Sequence, residues 1–172
     1  MAIASDSSPL IALARIKRLG LLKALYKEVV IPPAVKVECV DKGKVIGAQD
    51  AYEIEREIAE GWIKVLPLQR AWVDQVKRMM QRAQIGPGEA EVLIVAKEKG
   101  VPVILDDAEA RAIARSLGLE FMGTLMVPYE AFVGRVISYK EFVGILTDLS
   151  KVLWVSPAVI AEMFRRAEEM RK

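Results

Sequence analysis

Histidine is absent from the 172-residue sequence, and cysteine occurs only once, as Cys39. Without histidine, Ser-His-Asp and Cys-His catalysis are excluded, and so are the usual histidine-bearing zinc sites. A single cysteine excludes an internal disulfide and is typical of a reducing compartment. Because no histidine can activate its thiol, we expect Cys39 to be a small buried residue and not a nucleophile.

Long apolar runs are also lacking, since none reaches the ~18 residues needed to span a bilayer. The first residues show no signal-peptide pattern. We therefore expect a cytoplasmic protein without membrane contact. The net charge of +2 is too small to indicate a nucleic-acid partner by itself. Any catalysis must depend on carboxylates, lysines and hydroxyls, and carboxylates are ligands of Mg²⁺ and Mn²⁺.

Apolar residues are abundant, at 53%, which predicts a well-filled core. Short apolar runs alternate with helical patterns, which predicts an α/β fold with a parallel sheet. The predicted strands are the N-terminal run and residues 29–31, 62–66, 101–105 and 119–122, and the last helices are predicted at 125–135, 139–149 and 157–170. Residues 41–44 are predicted to form a turn. The aromatic residues, Trp154 among them, are expected to lie mostly in the core.

Acidic residues follow two of the predicted strands. Asp6 ends the first run, and Asp106 and Asp107 end the run 101–105. In a parallel sheet these positions emerge at the same edge, where ligands bind in open α/β folds. Converging carboxylates repel one another and raise their pKa values, and a divalent cation removes that cost. Mg²⁺ or Mn²⁺ at such a site could activate a water for attack on a phosphodiester.

Each acidic residue also has a structural interpretation. Asp6 could cap the following helix, and we expect one of Asp106 and Asp107 to cap the helix at 108. Glu38 could be an exposed helix residue. Glu89 and Glu91 could interact only with the dipole of a helix N-terminus.

Taken in order, four motifs resemble those of the PIN-domain nucleases. They are SDSSPLI at residues 5–11, IP at 31–32 with Val35 and Glu38, GEAE at 88–91, and LDDAEAR at 105–111. The resemblance covers residues 1 to about 135. It implies a three-layer α/β/α sandwich with a central parallel sheet, an acidic Mg²⁺ or Mn²⁺ site, and metal-dependent cleavage of RNA. Many such proteins are the toxin of a toxin–antitoxin pair, so an antitoxin protein is a possible partner.

By position, the resemblance assigns Asp6, Glu38 and Glu89 as the first three acids of the site. Asp107 best matches the fourth acid, because the family tends to place a hydroxyl two residues before it. This sequence has Leu105 there, which leaves Asp106 as a competitor. Glu91, in the same way, leaves the third ligand open.

The resemblance also implies substrate-binding residues. Ser7 or Ser8 could bind a metal-bound water or the scissile phosphate. Arg111 and Arg115, one turn apart, are candidates for holding RNA phosphates, and Arg111 could instead pair with a carboxylate of the site.

Two domain regions and a homodimer are further expectations. Residues 1–135 are predicted to form the PIN-like domain, and residues 136–172 a helical extension packed on it. The segment containing Trp72, Met79 and Met80 suggests a surface buried between chains. The alternative function is a PIN-like module that binds RNA or protein without cleavage. A phosphotransfer domain is disfavoured, because Ser8 stands where its second aspartate would be.

Overall fold

A single sheet of five parallel strands forms the centre of the computed structural model, which describes residues 1–170. The strands are β1 (Ala2–Ser5), β2 (Glu28–Ile31), β3 (Ile63–Val65), β4 (Val103–Ile104) and β5 (Phe121–Met122), in the order β3-β2-β1-β4-β5. Their residues are almost all apolar because helices cover both faces of the sheet. The predicted α/β fold with a parallel sheet is confirmed.

Eleven α-helices and one π-helical segment are found within residues 1–170. They are α1 (Ser7–Arg15), α2 (Gly20–Leu25), α3 (Pro33–Lys36), the π-helical segment (Val37–Lys42), α4 (Gly43–Val45), α5 (Gln49–Ala59), α6 (Arg70–Arg82), α7 (Pro87–Lys99), α8 (Ala108–Ser116), α9 (Met126–Val133), α10 (Tyr139–Val152) and α11 (Pro157–Glu169). Helix α1 packs on α5, whereas α7 packs on α6 and α8. Right-handed crossovers place these two groups on opposite faces of the sheet.

The strand order reverses direction between β1 and β4. The chain runs from β1 outward to β2 and β3, then returns to β4 on the other side of β1. Ser5 pairs with Ile104 in the ladder, and the Asp6 amide donates to the Ile104 carbonyl at 3.1 Å. The carboxyl ends of β1 and β4 therefore flank the switch point where open α/β sheets bind ligands.

The prediction of a turn at residues 41–44 is wrong, because these residues are helical. The chain continues from α3 through the π-helical segment into α4 and bends only after Val45. A Cβ atom on Gly43 would lie 2.7 Å from that of Ala51. The glycine thus allows α4 to approach α5 closely, a packing requirement that resembles a turn signal in the sequence.

The last three helices build a smaller core beside the sheet domain. Phe142, Leu146, Met163 and Ala167 form its centre, and α10 also contacts α1. The predicted boundary at residue 135 falls between α9 and α10, and positions 171–172 of the predicted extension lie outside the described residues. No helix within the described part of the chain is long and apolar enough to cross a membrane.

Candidate active site

Asp6 lies at the N-cap position of α1, directly after β1, yet its side chain makes no capping hydrogen bond. The residue is only 3% exposed. Within residues 1–170, its Oδ1 is the one buried side-chain oxygen or nitrogen without a hydrogen-bond partner. An unpaired buried carboxylate oxygen is costly to the fold. Capping therefore does not explain why aspartate stands at this position.

The charge state of Asp6 reflects both burial and its neighbours. Burial raises the pKa of Asp6 to about 7, the Ser7 backbone amide partly opposes this, and the charges of Glu89, Glu38 and Asp106 raise it further. Like charges without a cation disfavour the ionised form. The structure thus brings four acidic side chains together from two helical segments and two strand ends, and three of them act on Asp6.

Glu38 projects from the π-helical segment and is partly buried, not fully exposed. It accepts a hydrogen bond from the Ser7 hydroxyl at 2.9 Å. A Cβ atom on Gly88 would lie 2.7 Å from Oε2 of Glu38. Glycine at this position therefore allows the first turn of α7 to approach the Glu38 carboxylate.

Glu89 lies in the first turn of α7, two residues after Pro87 at the helix start. Its carboxylate folds back toward the N-cap, since a Cβ atom on Gly86 would lie 2.8 Å from Oε2. The positive end of the helix dipole favours a carboxylate here. Glu89 is thus both stabilised locally and close enough to Asp6 to raise its pKa.

Asp106 and Asp107 have different environments. Asp107 is exposed and caps α8, since its Oδ1 accepts from the Ala110 amide at 2.8 Å. Asp106 is partly buried and acts electrostatically on Asp6. Its Oδ1 accepts from the Thr124 amide at 2.9 Å, and its Oδ2 accepts from the Thr124 hydroxyl.

Arg111 extends across the end of β4. Its Nε donates to the Leu105 carbonyl at 2.8 Å, and its Nη2 lies 3.4 Å from Oδ1 of Asp106. A side chain on Gly123 would collide with the guanidinium group. Arg111 is therefore paired with a carboxylate of the cluster, which is the second of its two interpretations.

The remaining sequence candidates lie around this cluster. Glu91 accepts from the Ala34 amide at 2.8 Å, so it joins α7 to the first turn of α3. Burial raises the pKa of Glu91, the Ala34 amide opposes this, and Glu38 adds to the increase. Ser8 is exposed, and the Arg115 guanidinium lies 5.4 Å from the centre of the Phe121 ring.

The acidic residues have the ligand type that a divalent cation prefers, but they are not arranged around a common metal position. Among residues 1–170, no group of three or more His, Cys, Asp or Glu side chains is in place to hold a metal ion. The donor set is carboxylate oxygen, the type that Mg²⁺ and Mn²⁺ prefer. The Oδ1 of Asp6, which has no hydrogen-bond partner in the described part of the chain, is available as a ligand.

Comparison with known proteins identifies the family. The model of the family DUF3368, described as a PIN domain, matches residues 2–169. The chain belongs to this PIN-domain family. No curated protein matches the chain at a significant level.

Solved structures similar to this PIN domain share its fold at low sequence identity. One is the Mycobacterium tuberculosis toxin VapC20, described as cleaving the sarcin-ricin loop, with a TM-score of 0.53 and 17% identity over 64% of this chain and 94% of that one. Another is VapBC2 from Rickettsia felis bound to a promoter DNA fragment, with a TM-score of 0.51 and 9% identity over 72% and 98%. PAE2754 from Pyrobaculum aerophilum has a TM-score of 0.51 and 19% identity over 74% and 95%.

Two residues of this PIN domain escaped sequence reasoning. Thr124 is fully buried and donates hydrogen bonds to both oxygens of Asp106. It follows the end of the last strand by two residues, so a hydroxyl at the same edge of the sheet was visible in the sequence. Trp154 was expected in the core, and that expectation is wrong, because its side chain is fully exposed. Trp154 stands between two aliphatic residues, which suggested a buried stretch. Leu153 and Val155 are partly buried, but Trp154 between them is not.

Proposed function

We propose that this PIN domain is a metal-dependent ribonuclease that hydrolyses RNA phosphodiester bonds. The observation that carries the proposal is Asp6, a buried carboxylate at the switch point of the sheet whose Oδ1 has no hydrogen-bond partner within residues 1–170. A structural residue in this position would be hydrogen-bonded or apolar. Strongly perturbed acids in a cleft are typical of functional sites.

In this proposal, Asp6, Glu38, Glu89 and Asp106 hold Mg²⁺ or Mn²⁺. Asp106 replaces Asp107, the better match by sequence position, because Asp107 is exposed and occupied as the cap of α8. Glu91 is an orienting residue, because its carboxylate is bonded to the Ala34 amide. A bound divalent ion supplies a water of lowered pKa and a Lewis acid at the scissile phosphate.

The neighbouring residues orient these carboxylates and face the substrate. Ser7 donates to Glu38 and fixes one of its oxygens, and Thr124 does the same for Asp106. Arg111 lies beside Asp106, so it can contact a phosphate once the carboxylate charge is offset. Ser8 and Arg115 are exposed and available to RNA phosphates. Ser8 can donate its hydroxyl to a phosphate, and Arg115 can bind one as a cation in a salt-dependent manner.

A toxin role with an antitoxin partner is part of the proposal, supported by the toxin–antitoxin context of two structures with the same fold. The single cysteine favours action in the cytoplasm. A homodimer is also proposed, and in the predicted segment Met80 is exposed and available for it. Trp72 is buried in its own chain, whereas Val45 and Ile46 are exposed by 86% and 81%.

The proposal is tested by Mn²⁺-dependent cleavage of single-stranded and structured RNAs, with wild type compared with Asp6→Asn. We expect cleavage that requires the metal and is lost in the variant. A matched control is Glu162→Gln, an acidic residue at the surface of α11, which should cleave like wild type. Equal cleavage by wild type and Asp6→Asn would exclude the proposed site.

A second candidate function is RNA or protein binding without cleavage. The observation that favours it is that the acids of residues 1–170 are not arranged around a metal position. Under this alternative, neither protein cleaves in any divalent metal, and RNA or protein binding is unaffected by Asp6→Asn.

A further inference from the structure

A fully exposed tryptophan lies at the edge of the cleft that contains the Asp106 carboxylate. The cleft has a volume of about 610 Å³, and its lining includes Asp106, Arg111 and Ser8 together with Trp154, Val159 and Met163. Within residues 1–170, Trp154 makes no hydrogen bond or ring contact. An indole offers a large, rigid apolar face, and tryptophan is enriched where proteins contact other molecules.

The local backbone explains how the indole is held outward. Helix α10 ends at Val152, and the amide of the next residue, Leu153, donates to the Leu149 carbonyl at 2.8 Å while its backbone is extended. Ser156 then caps α11. Side chains alternate along this short extended connection, so Leu153 and Val155 turn toward the protein and Trp154 toward solvent. With a helix fixed at each end, the indole is presented at low conformational cost.

The chemistry of the cleft selects the ligand class. Its lining is mostly apolar, with an aromatic ring at each of two positions, Trp154 and Phe121. The Arg115 guanidinium already lies over Phe121, and Arg111 lies beside Asp106. A ligand that contacts both the aromatic rings and the nearby arginines needs flat π-faces and negative charges a short distance apart. Unpaired nucleotides have this combination, because bases stack on aromatic side chains while cations hold the phosphates.

We propose that Trp154 is a base-stacking subsite for a single-stranded nucleotide next to the scissile phosphate. The inference rests on the proposed ribonuclease function and adds a substrate preference to it, for unpaired RNA at this position. A base within a duplex is already stacked on its neighbours and cannot cover the indole. Trp154 would therefore act as a positioning residue for the substrate.

Binding of a short labelled single-stranded RNA tests the proposal, measured with the cleavage-deficient Asp6→Asn protein as background. Replacing Trp154 by Ala or Leu should weaken binding by about 5- to 100-fold, the range for loss of one stacked base. Trp154→Phe should retain most of the affinity, since an aromatic face remains. The matched control is Val136→Ala, which removes an exposed apolar side chain between α9 and α10, outside the cleft lining, and should change nothing.

Two further readouts separate stacking from general apolar contact. RNA should quench the Trp154 emission, a change absent in Trp154→Phe, because Trp62 and Trp72 are buried. In the wild-type background, Trp154→Ala should raise KM for single-stranded RNA and leave kcat nearly unchanged. Unaltered RNA affinity in both Trp154→Ala and Trp154→Leu would overturn the proposal, as would equal loss in Trp154→Phe and Trp154→Leu.

The outcomes also separate this inference from the ribonuclease proposal. If wild type binds RNA through Trp154 but never cleaves it, the subsite stands and the hydrolase assignment fails. If wild type cleaves RNA and Trp154→Ala has unchanged KM and affinity, the nuclease stands and the stacking subsite is wrong.

Discussion

Two acidic clusters of this protein contain similar residues, but the pKa is raised in one and lowered in the other. At the switch point of the sheet, burial is the main reason that the pKa of Asp6 is raised to about 7. On α11, Glu162 accepts hydrogen bonds from Arg165 and Arg166, and these lower its pKa to about 2. The second cluster is at the surface, with each acid paired along the helix.

The difference lies in what each cluster needs to be stable. Glu162 has its counter-charges within its own helix, so its ionised form requires nothing else. Asp6 has three acidic neighbours and, within the described residues, no hydrogen-bond partner for Oδ1. A group that the fold leaves destabilised is expected where function requires it. The two clusters should therefore respond in opposite ways to mutation, pH and metal.

The largest expected effect separates Asp106 from its neighbour. Asp106→Asn should reduce metal-dependent RNA cleavage by at least about 100-fold, more than is typical for loss of an outer-shell group. Asp107→Asn should retain activity, because asparagine caps a helix as well as aspartate does. Single-turnover rates measure both. Loss of activity in Asp107→Asn alone, with a folded protein, would return the fourth ligand to Asp107.

The second effect is on the pH dependence of stability without metal. The folded-state pKa of Asp6 is above its unfolded value of 3.8, so the folded protein binds the extra proton and loses stability as pH rises toward 7. Between pH 5 and 8 this loss is about 2–3 kcal/mol for a shift of this size. Asp6→Asn lacks it. In urea unfolding with EDTA, the free energy of unfolding of the variant should rise relative to that of wild type from pH 5 to 8. If the two free energies change in parallel with pH, the raised pKa of Asp6 is not the cause.

The position of the site could largely be predicted from sequence, because apolar strand runs and the parallel-sheet rule place Asp6 and residue 106 at one edge. The choice between Asp106 and Asp107 could not. It depends on which side chain the loop after β4 turns toward Thr124, and adjacent residues at a strand end differ in direction. The exposure of Trp154 was equally hidden, because it follows from where α10 ends, at Val152 and not at 149.

The third effect is stabilisation by metal. Mg²⁺ or Mn²⁺ at 100 times its dissociation constant should stabilise the folded protein by about 2.7 kcal/mol, which corresponds to a rise in Tm of roughly 5–10 °C for a chain of this size. Asp6→Asn should show little of this rise. Thermal scans with and without the ion measure it. The rise should be unchanged in Glu162→Gln, and an equal rise in Asp6→Asn would place the ion elsewhere.

The smallest expected effect is at the paired cluster. Glu162→Gln removes the carboxylate that both arginines contact, yet Tm should fall by no more than about 1 °C, because exposed ion pairs contribute little. The direction with pH is opposite to that of Asp6. A lowered pKa stabilises the folded state above pH 4.5 and loses this as pH falls toward about 2, so wild type and variant should converge on acidification. High salt should also reduce the difference, since these charges are screened. A large decrease in Tm that does not depend on salt would mean that Glu162 contributes to the packing of α11. The two clusters would then not differ simply in whether their charges have partners.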